Sequence, residues 1–240
     1  MLKQISFSIL CLLNFSLAIA QTDSTEKVVL TKEEKQFVRK ANTAKYAFYM
    51  RKQSRESILL MNLARTNGPL FVKYIQLKYG DEYANKPIVR AFYKINVKQK
   101  MTFLKPDYRL HLDACFHAFI SGITNYEGHR WFNTRLILSG SFRFLLPNIF
   151  LRNKKQTVLY FGTSAGENCI YGYHKSIDYV IGWLGSPGHR ANILNNSFMR
   201  VGVSHKWHFG YKCNTVADYY GPRFRDELLH RKIIKKFINR

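Results

Sequence analysis

The chain has 240 residues and a formal net charge of +23, with 38 Lys and Arg residues against 15 Asp and Glu residues. This length suits one domain of ordinary size with extra segments. The charge favours anionic partners such as nucleic acid, lipid headgroups or envelope polymers. Because the sequence has no helix-turn-helix, zinc-finger or RNA-binding signature, it argues against specific nucleic-acid binding. We therefore expect an anionic membrane or envelope surface as the partner; the oligomeric state stays open.

Residues 1–20 are typical of a cleaved secretory signal peptide. They begin with Lys3, continue as an apolar stretch and end in Ala-Ile-Ala before Gln21. The rest of the chain has no apolar run of membrane-spanning length. Cleavage would leave a mature chain of formal charge +22, because Lys3 is the only charged residue that is removed. The predicted location is outside the cell or in the periplasm.

The N-terminal half predicts a series of helices. Residues 21–50 form a leader and a helix, whose start is marked by the capping-box pattern of Thr31 and Glu34. An apolar helix over residues 57–65 ends at Asn67-Gly-Pro69, and Pro69 then opens a second helix that packs against it. Pro106 is expected to open another helix, with Gly122 as its end. The apolar stripe of that helix consists of Tyr108, Leu112, Cys115, Phe116 and Phe119.

The C-terminal half predicts two consecutive helices and a hairpin. Ser176 caps the first helix and Gly185 ends it, and Ser186-Pro187 starts the second, so that His189 lies in its first turn. Two β-like runs, 201–207 and 211–217, then predict an antiparallel hairpin. Residues 221–240 form a basic amphipathic helix that either docks on its own domain or binds a surface.

Three cysteines follow the signal peptide. Cys115 lies on the apolar stripe and is expected to be a small core residue. An odd number of cysteines in an oxidising compartment allows at most one internal disulfide. Cys169 with Cys213 is the first choice for such a pair, although the pairing cannot be derived from sequence.

Several of these segments resemble the CAP superfamily, which comprises cysteine-rich secretory proteins, insect antigen 5 and plant pathogenesis-related proteins. The similarity is greatest to its single-domain bacterial secreted members and covers roughly residues 50–220. The matching segments are Asn62-Leu-Ala-Arg65 with Phe71, Leu110 to Gly122, Gly128-His129 with Arg135, Gly166-Glu-Asn168, Trp183 to Asn195, and Val201-Gly-Val203.

The resemblance implies an α/β fold, a three-layer α-β-α sandwich with a small antiparallel sheet between helices. It places the CAP domain at residues 51–220, with an aromatic and basic insertion at about 136–164. This insertion could form a lid, bind lipid or pack as an extra layer.

The resemblance also implies a cleft that contains His129, Glu167 and His189. Ser186 stands where plant and animal members have a second acid, and Glu127 or Asp178 could substitute for it. Two histidines and one carboxylate with an open position would suit Zn²⁺ and an activated water. The positive end of the helix dipole should keep His189 neutral, as a metal ligand must be.

Other candidate residues have structural interpretations. We expect His111 and His117 to be surface or boundary residues, and His205 and His208 to be exposed around the hairpin. Cys169 follows Glu167 closely enough to suggest a thiol nucleophile, but no cysteine-protease signature accompanies it.

These observations lead to two functional hypotheses. The first is a secreted protein that acts at or outside the cell envelope by binding lipid or a surface partner through the His/Glu cleft, rather than by catalysis. The alternative is a zinc-dependent hydrolase or peptidase, with His129, His189 and Glu167 as metal ligands and Glu167 as ligand or general base. A third interpretation makes the cleft a stabilising hydrogen-bond network.

Overall fold

The computed structural model describes residues 28–94, 101–129 and 164–221. The described residues contain eight helices and one four-stranded sheet. The helices are α1 (Lys32–Ala41), α2 (Lys52–Thr66), α3 (Gly68–Tyr79), α4 (Asp81–Ala84), α5 (Pro87–Lys94), α6 (Tyr108–Thr124), α7 (Ser176–Gly185) and α8 (Pro187–Ile193). The strands are β1 (Lys105–Pro106), β2 (Ser164–Tyr171), β3 (Arg200–His208) and β4 (Lys212–Gly221). The predicted signal peptide, C-terminal helix and insertion lie outside the described residues, apart from single residues at their edges.

The sheet has the strand order β1-β3-β4-β2. Strands β2, β4 and β3 are antiparallel neighbours, and β1 adds a two-residue parallel pairing to β3. Helix α6 packs on one face, against β3 and β4, whereas α2 and α7 pack on the other. This arrangement confirms the expected three-layer α/β sandwich. Among the described residues, no helix has the length and apolar character needed to cross a bilayer.

Several helix boundaries follow local sequence signals. Thr31 and Glu34 form the predicted capping box at the start of α1. Helix α8 begins at Pro187 after Ser186 at the N-cap, which places His189 in the first turn as expected. Pro106, in contrast, lies in β1, and Asp107 caps α6 through its side chain. Pro106 therefore does not open the helix, because the chain first pairs with β3.

The predicted buried stripe of α6 is wrong. Tyr108, Phe116 and Phe119 are exposed, and Leu112 and Cys115 are half-buried. The buried face instead carries Leu110, His111, Ala114, His117, Ala118, Ser121 and Gly122. The helix also continues past Gly122 to Thr124 and ends at Asn125, which has the left-handed conformation.

Close packing of α6 on β3 explains this choice of face. A Cβ atom at Gly202 would overlap the backbone of Leu110 and His111, and one at Gly122 would overlap the carbonyl of Trp207. The helix and the strand thus meet at backbone distance at both ends, where only small residues fit. The aromatic side chains, which need more room, lie on the outer face.

Candidate functional site

Glu167 lies near the middle of β2, opposite Asp218 of β4. Alternation along β2 directs Glu167, Cys169 and Tyr171 towards α6, and Asn168 towards α8. The contacts agree, because Glu167 bonds to His117 of α6 and the Asn168 amide donates to the His189 carbonyl oxygen at 3.1 Å. The Asn192 amide of α8 donates to the Glu167 carbonyl oxygen at 3.1 Å. The strand therefore holds the Glu167 carboxylate on the α6 face of the sheet.

Two histidines bond to the two oxygens of the Glu167 carboxylate. The distance from His117 Nδ1 to Glu167 Oε2 is 2.8 Å, and that from His129 Nδ1 to Oε1 is 2.9 Å. The side chains of Glu167 and His117 are 2% and 0% exposed, whereas that of His129 is 51% exposed. An ionised carboxylate only accepts, so Nδ1 carries the proton in both rings. The carboxylate thus links a buried imidazole to one that solvent reaches.

Cys169 lies beside the same pair of imidazoles. Its Sγ atom is 3.9 Å from His117 Nδ1 and 3.7 Å from His129 Nδ1. One ligand atom each from His117, Glu167 and Cys169 lies within 4.8 Å of the others. The site therefore contains a histidine, a carboxylate and a thiol that could converge on one ion.

The distances between the ligand atoms of this group approach those of a tetrahedral zinc site, but the nitrogen and oxygen atoms would have to move slightly apart. Ordinary Zn–S and Zn–N lengths place sulfur and nitrogen ligands about 3.6 Å apart, and nitrogen and oxygen ligands about 3.4 Å apart. The observed sulfur–nitrogen distances are close to this value, whereas the nitrogen–oxygen distances are those of direct hydrogen bonds. The buried Nε2 atom of His117 also has no hydrogen-bond partner among the residues that the structure describes. An ion would have to replace the Glu167–histidine hydrogen bonds.

His189 lies next to His129, at the edge of this group. Its ring centroid is 6.0 Å from that of His129, and the side chain is half-buried at the start of α8. Burial, with the charge of His129, lowers the pKa of His189. The imidazole is thus kept neutral mainly by desolvation, in the direction that the helix dipole also favours. The assignment of His129, His189 and Glu167 as metal ligands stays a prediction.

Neither substitute acid considered from the sequence bonds to Glu167 or the histidines. Asp178 accepts a hydrogen bond from the Tyr83 hydroxyl at 2.8 Å, and Glu127 accepts one from the Tyr211 hydroxyl at 2.5 Å. The second buried acid near Glu167 is Asp218, its cross-strand neighbour, which is 1% exposed. Directly opposed residues share one face of a sheet. Asp218 therefore lies on the same face as Glu167.

The expectations for four histidines are wrong: the sequence places His111 and His117 at the surface or boundary and His205 and His208 at exposed positions, but all four are buried. His117 and His208 are 0% exposed, and His111 and His205 are each 7% exposed. Their partners explain the burial: His111 bonds to the Val203 carbonyl oxygen, His205 to the Thr215 hydroxyl and His208 to the Tyr126 carbonyl oxygen. A buried imidazole is stable where such partners satisfy it. The i, i+2 spacing of Glu167 and Cys169 in a strand was the available signal for Cys169.

The cysteines also depart from expectation. Among the described residues, Cys115, Cys169 and Cys213 form no disulfide with one another, so the disulfide considered for Cys169 and Cys213 does not form. Register explains this, because Cys169 lies opposite Val216 and Cys213 lies opposite Trp207. Cys115 is half-buried rather than a core residue.

One comparison with known proteins, that with family models, supports the sequence resemblance. Residues 147–219 match the model of the CAP family, described as the cysteine-rich secretory protein family. No curated protein matches the chain significantly. Among solved structures, an outer surface protein from Borrelia burgdorferi is similar, with a TM-score of 0.36 and 16% identity over 51% of this chain and 80% of that chain. The family match is limited to residues 147–219, includes Glu167 and His189, and bears out the resemblance over this segment.

Proposed function

We propose that this chain is an exported protein that binds anionic lipid surfaces through the tip of the β3–β4 hairpin, beside the His/Glu cleft. The observation that carries the proposal is the aromatic tip itself. Trp207, Phe209 and Tyr211 are 55%, 65% and 41% exposed, and the Trp207 and Phe209 rings pack edge to face at 4.3 Å. Lys206 and Lys212 lie beside them. Aromatic rings flanked by basic residues suit the boundary between lipid headgroups and acyl chains.

The hairpin tip is continuous with the loop that carries His129. The Tyr211 hydroxyl donates to Glu127, and His208 Nε2 bonds to the Tyr126 carbonyl oxygen at 3.3 Å. On the other side, the Gly128 N–H donates to the Tyr171 hydroxyl at 2.9 Å. A ligand at the tip would therefore lie next to the segment that positions His129. This continuity supports a role for the cleft in binding a lipid headgroup or a surface partner.

Charge supplies the long-range part of the attraction. The formal charge of +22 after removal of the signal peptide favours anionic vesicles over neutral ones. Each basic residue near such a surface contributes about 1 kcal/mol. The aromatic side chains add apolar burial of about 1.5–3 kcal/mol each when fully inserted. Export, which the proposal requires, depends on the predicted signal peptide at residues 1–20.

Vesicle co-sedimentation at moderate salt tests the proposal. The chain should sediment with anionic vesicles and much less with zwitterionic ones. A Trp207→Ala, Phe209→Ala double variant should bind anionic vesicles about tenfold or more weakly, because it loses at least ~1.4 kcal/mol of insertion energy. The matched control is Tyr46→Ala, Phe48→Ala, which removes two rings that are 72% and 75% exposed elsewhere. Equal losses in the two double variants, or no preference for anionic lipid, would refute the proposal.

The second candidate function is a zinc-dependent hydrolase. The observation in its favour is the group formed by His117, Glu167 and Cys169, whose ligand atoms lie within 4.8 Å. Bound zinc would supply an activated water. Glu167 would hold the ion or accept a proton at a carboxylate oxygen, and His129 would reach the site from solvent.

Zinc analysis after purification without chelator separates this candidate from lipid binding. The chain should contain zinc that a Glu167→Gln, Cys169→Ser double variant lacks, because these residues supply two of the three ligand atoms. Both proteins should carry Cys213→Ser, so that zinc held elsewhere by this thiol does not contribute. Equal zinc in the two proteins would remove the premise of a hydrolase in this cleft.

A further inference from the structure

A second cluster of nitrogen and sulfur ligands lies on the other face of the sheet. His205 of β3 pairs with Thr215 of β4, and Cys213 lies two residues before Thr215, on the same face. The His205 ring stacks on Tyr179 of α7 at 6.2 Å, which places this face opposite α6. The cluster is therefore separated by the sheet from Glu167 and its histidines.

His174 completes the cluster from the loop after β2. The chain turns at Gly172, which has a φ of +81°, and the Gly172 N–H donates to the Cys213 carbonyl oxygen at 2.8 Å. This turn brings the His174 ring centroid to 6.3 Å from that of His205. Two histidines and one cysteine that are distant in sequence thus meet at one point.

We propose that His174, His205 and Cys213 form a zinc-binding site. One ligand atom from each residue lies within 4.8 Å of the others. Tetrahedral zinc places such atoms about 3.3–3.6 Å apart, so closing the site needs movements of about 1 Å. His205 and Cys213 are buried and fixed by the strands, whereas the His174 side chain is exposed and has room to close the remaining distance.

The hydrogen bond of His205 prepares it as a ligand. Its Nδ1 atom lies 2.8 Å from the Thr215 hydroxyl, which leaves Nε2 for the ion. Metal-bound histidines commonly have their second nitrogen held by such a partner.

The three donor atoms favour zinc over magnesium or calcium. A thiol and two imidazoles suit Zn²⁺, whereas Mg²⁺ and Ca²⁺ require oxygen ligands that this group lacks. When the Zn–S bond forms, the thiol proton of Cys213 passes to solvent. Three protein ligands leave a fourth position for water or an external ligand.

Cobalt spectroscopy tests this site without interference from the other thiols. In a full-length chain with Cys11→Ser, Cys115→Ser and Cys169→Ser, one equivalent of Co²⁺ should produce a sulfur-to-cobalt charge-transfer band that Zn²⁺ then abolishes. The band should disappear on further replacement of Cys213 by serine. It should weaken strongly in His174→Ala, whose exposed position makes the variant safe for folding.

Two further variants test whether Co²⁺ binds at this cluster or in the cleft on the opposite face. Thr215→Val should weaken Co²⁺ binding by about 10–100-fold, because it removes the partner that orients His205. Glu167→Gln, on the opposite face of the sheet, should leave the band unchanged, so this site and the cleft can fail independently. No band in the parent variant, or a band that survives His174→Ala unchanged, would overturn the proposal.

Discussion

Replacement of Glu167 by alanine tests the role of the carboxylate that joins the sheet to α6 and to the His129 loop. The variant removes the acceptor for His117 Nδ1 and for His129 Nδ1. The His117 side chain is completely buried, so its N–H would lose its partner where water cannot replace it. The His129 side chain is half exposed and can turn to solvent.

The two bonds therefore contribute unequally to the free energy of unfolding. A buried charge-assisted hydrogen bond contributes about 1.5–3 kcal/mol. The bond to His129 is discounted to about 0.5 kcal/mol, because solvent screens it. The expected loss is about 2–3.5 kcal/mol, which corresponds to a fall in melting temperature of roughly 5–12 °C for a domain of this size.

Thermal unfolding followed by circular dichroism measures the effect. The control is Glu127→Ala, which removes an exposed carboxylate with one hydrogen bond from Tyr211 and should shift the melting temperature by no more than about 1–2 °C. Glu167→Gln should fall between the two, because its amide oxygen can still accept from one histidine. If Glu167→Ala melts at the same temperature as Glu127→Ala, the carboxylate does not hold these elements together.

Two further predictions concern packing and thiol chemistry. Gly202→Ala should destabilise the fold by about 1–3 kcal/mol or more in chemical denaturation, because its Cβ meets the backbone of α6, whereas Gly188→Ala, in open space, should be neutral or slightly stabilising. A smaller loss for Gly202→Ala than for Gly188→Ala would contradict the packing. Burial alone would raise the pKa of the Cys115 thiol, but the hydrogen bond and the charge interaction with His111 outweigh burial, so the net pKa is lowered. The pKa of the Cys213 thiol is raised by burial. Thiolate should therefore form at Cys115 at lower pH, and iodoacetamide mapping near neutral pH should label Cys115 before Cys213, with His111→Ala moving the Cys115 midpoint upward.

Local signals made part of the fold predictable. The capping box at Thr31, the Ser186-Pro187 start of α8 and the β3–β4 hairpin depend on neighbouring residues, so the sequence contains the information that places them. The three-layer arrangement followed from the CAP resemblance rather than from these local patterns. Both kinds of prediction agree with the structure within a few residues at the element ends.

The buried face of α6 could not be derived in the same way. A count of apolar residues favours the stripe with Phe116 and Phe119, but close approach of Gly202 selects the face with smaller side chains. That approach depends on a contact between segments about 90 residues apart. Helical periodicity alone therefore predicted the wrong buried face for α6.

The sequence predicted only part of the candidate site, because the rest also depends on contacts between distant segments. Glu167 and His129 came from motifs, and the structure joins them directly. His117 was missed because its burial depends on the face of α6, and Asp218 because its position depends on strand register. Polar residues whose partners lie on other elements give little sign of burial in the sequence.

Quenching of tryptophan fluorescence by brominated anionic lipid tests the central claim most directly, since it reports whether the hairpin tip enters the bilayer. With Trp131→Phe in both proteins, Trp183 and Trp207 are the two remaining tryptophans. Vesicles with brominated acyl chains should then quench part of the emission, and Trp207→Phe, which keeps an aromatic ring and should still bind, should lose that quenched component. The core residue Trp183 is completely buried, so it should contribute little to the quenching. Binding without quenching, or the same quenched component in Trp207→Phe, would contradict insertion of the hairpin tip.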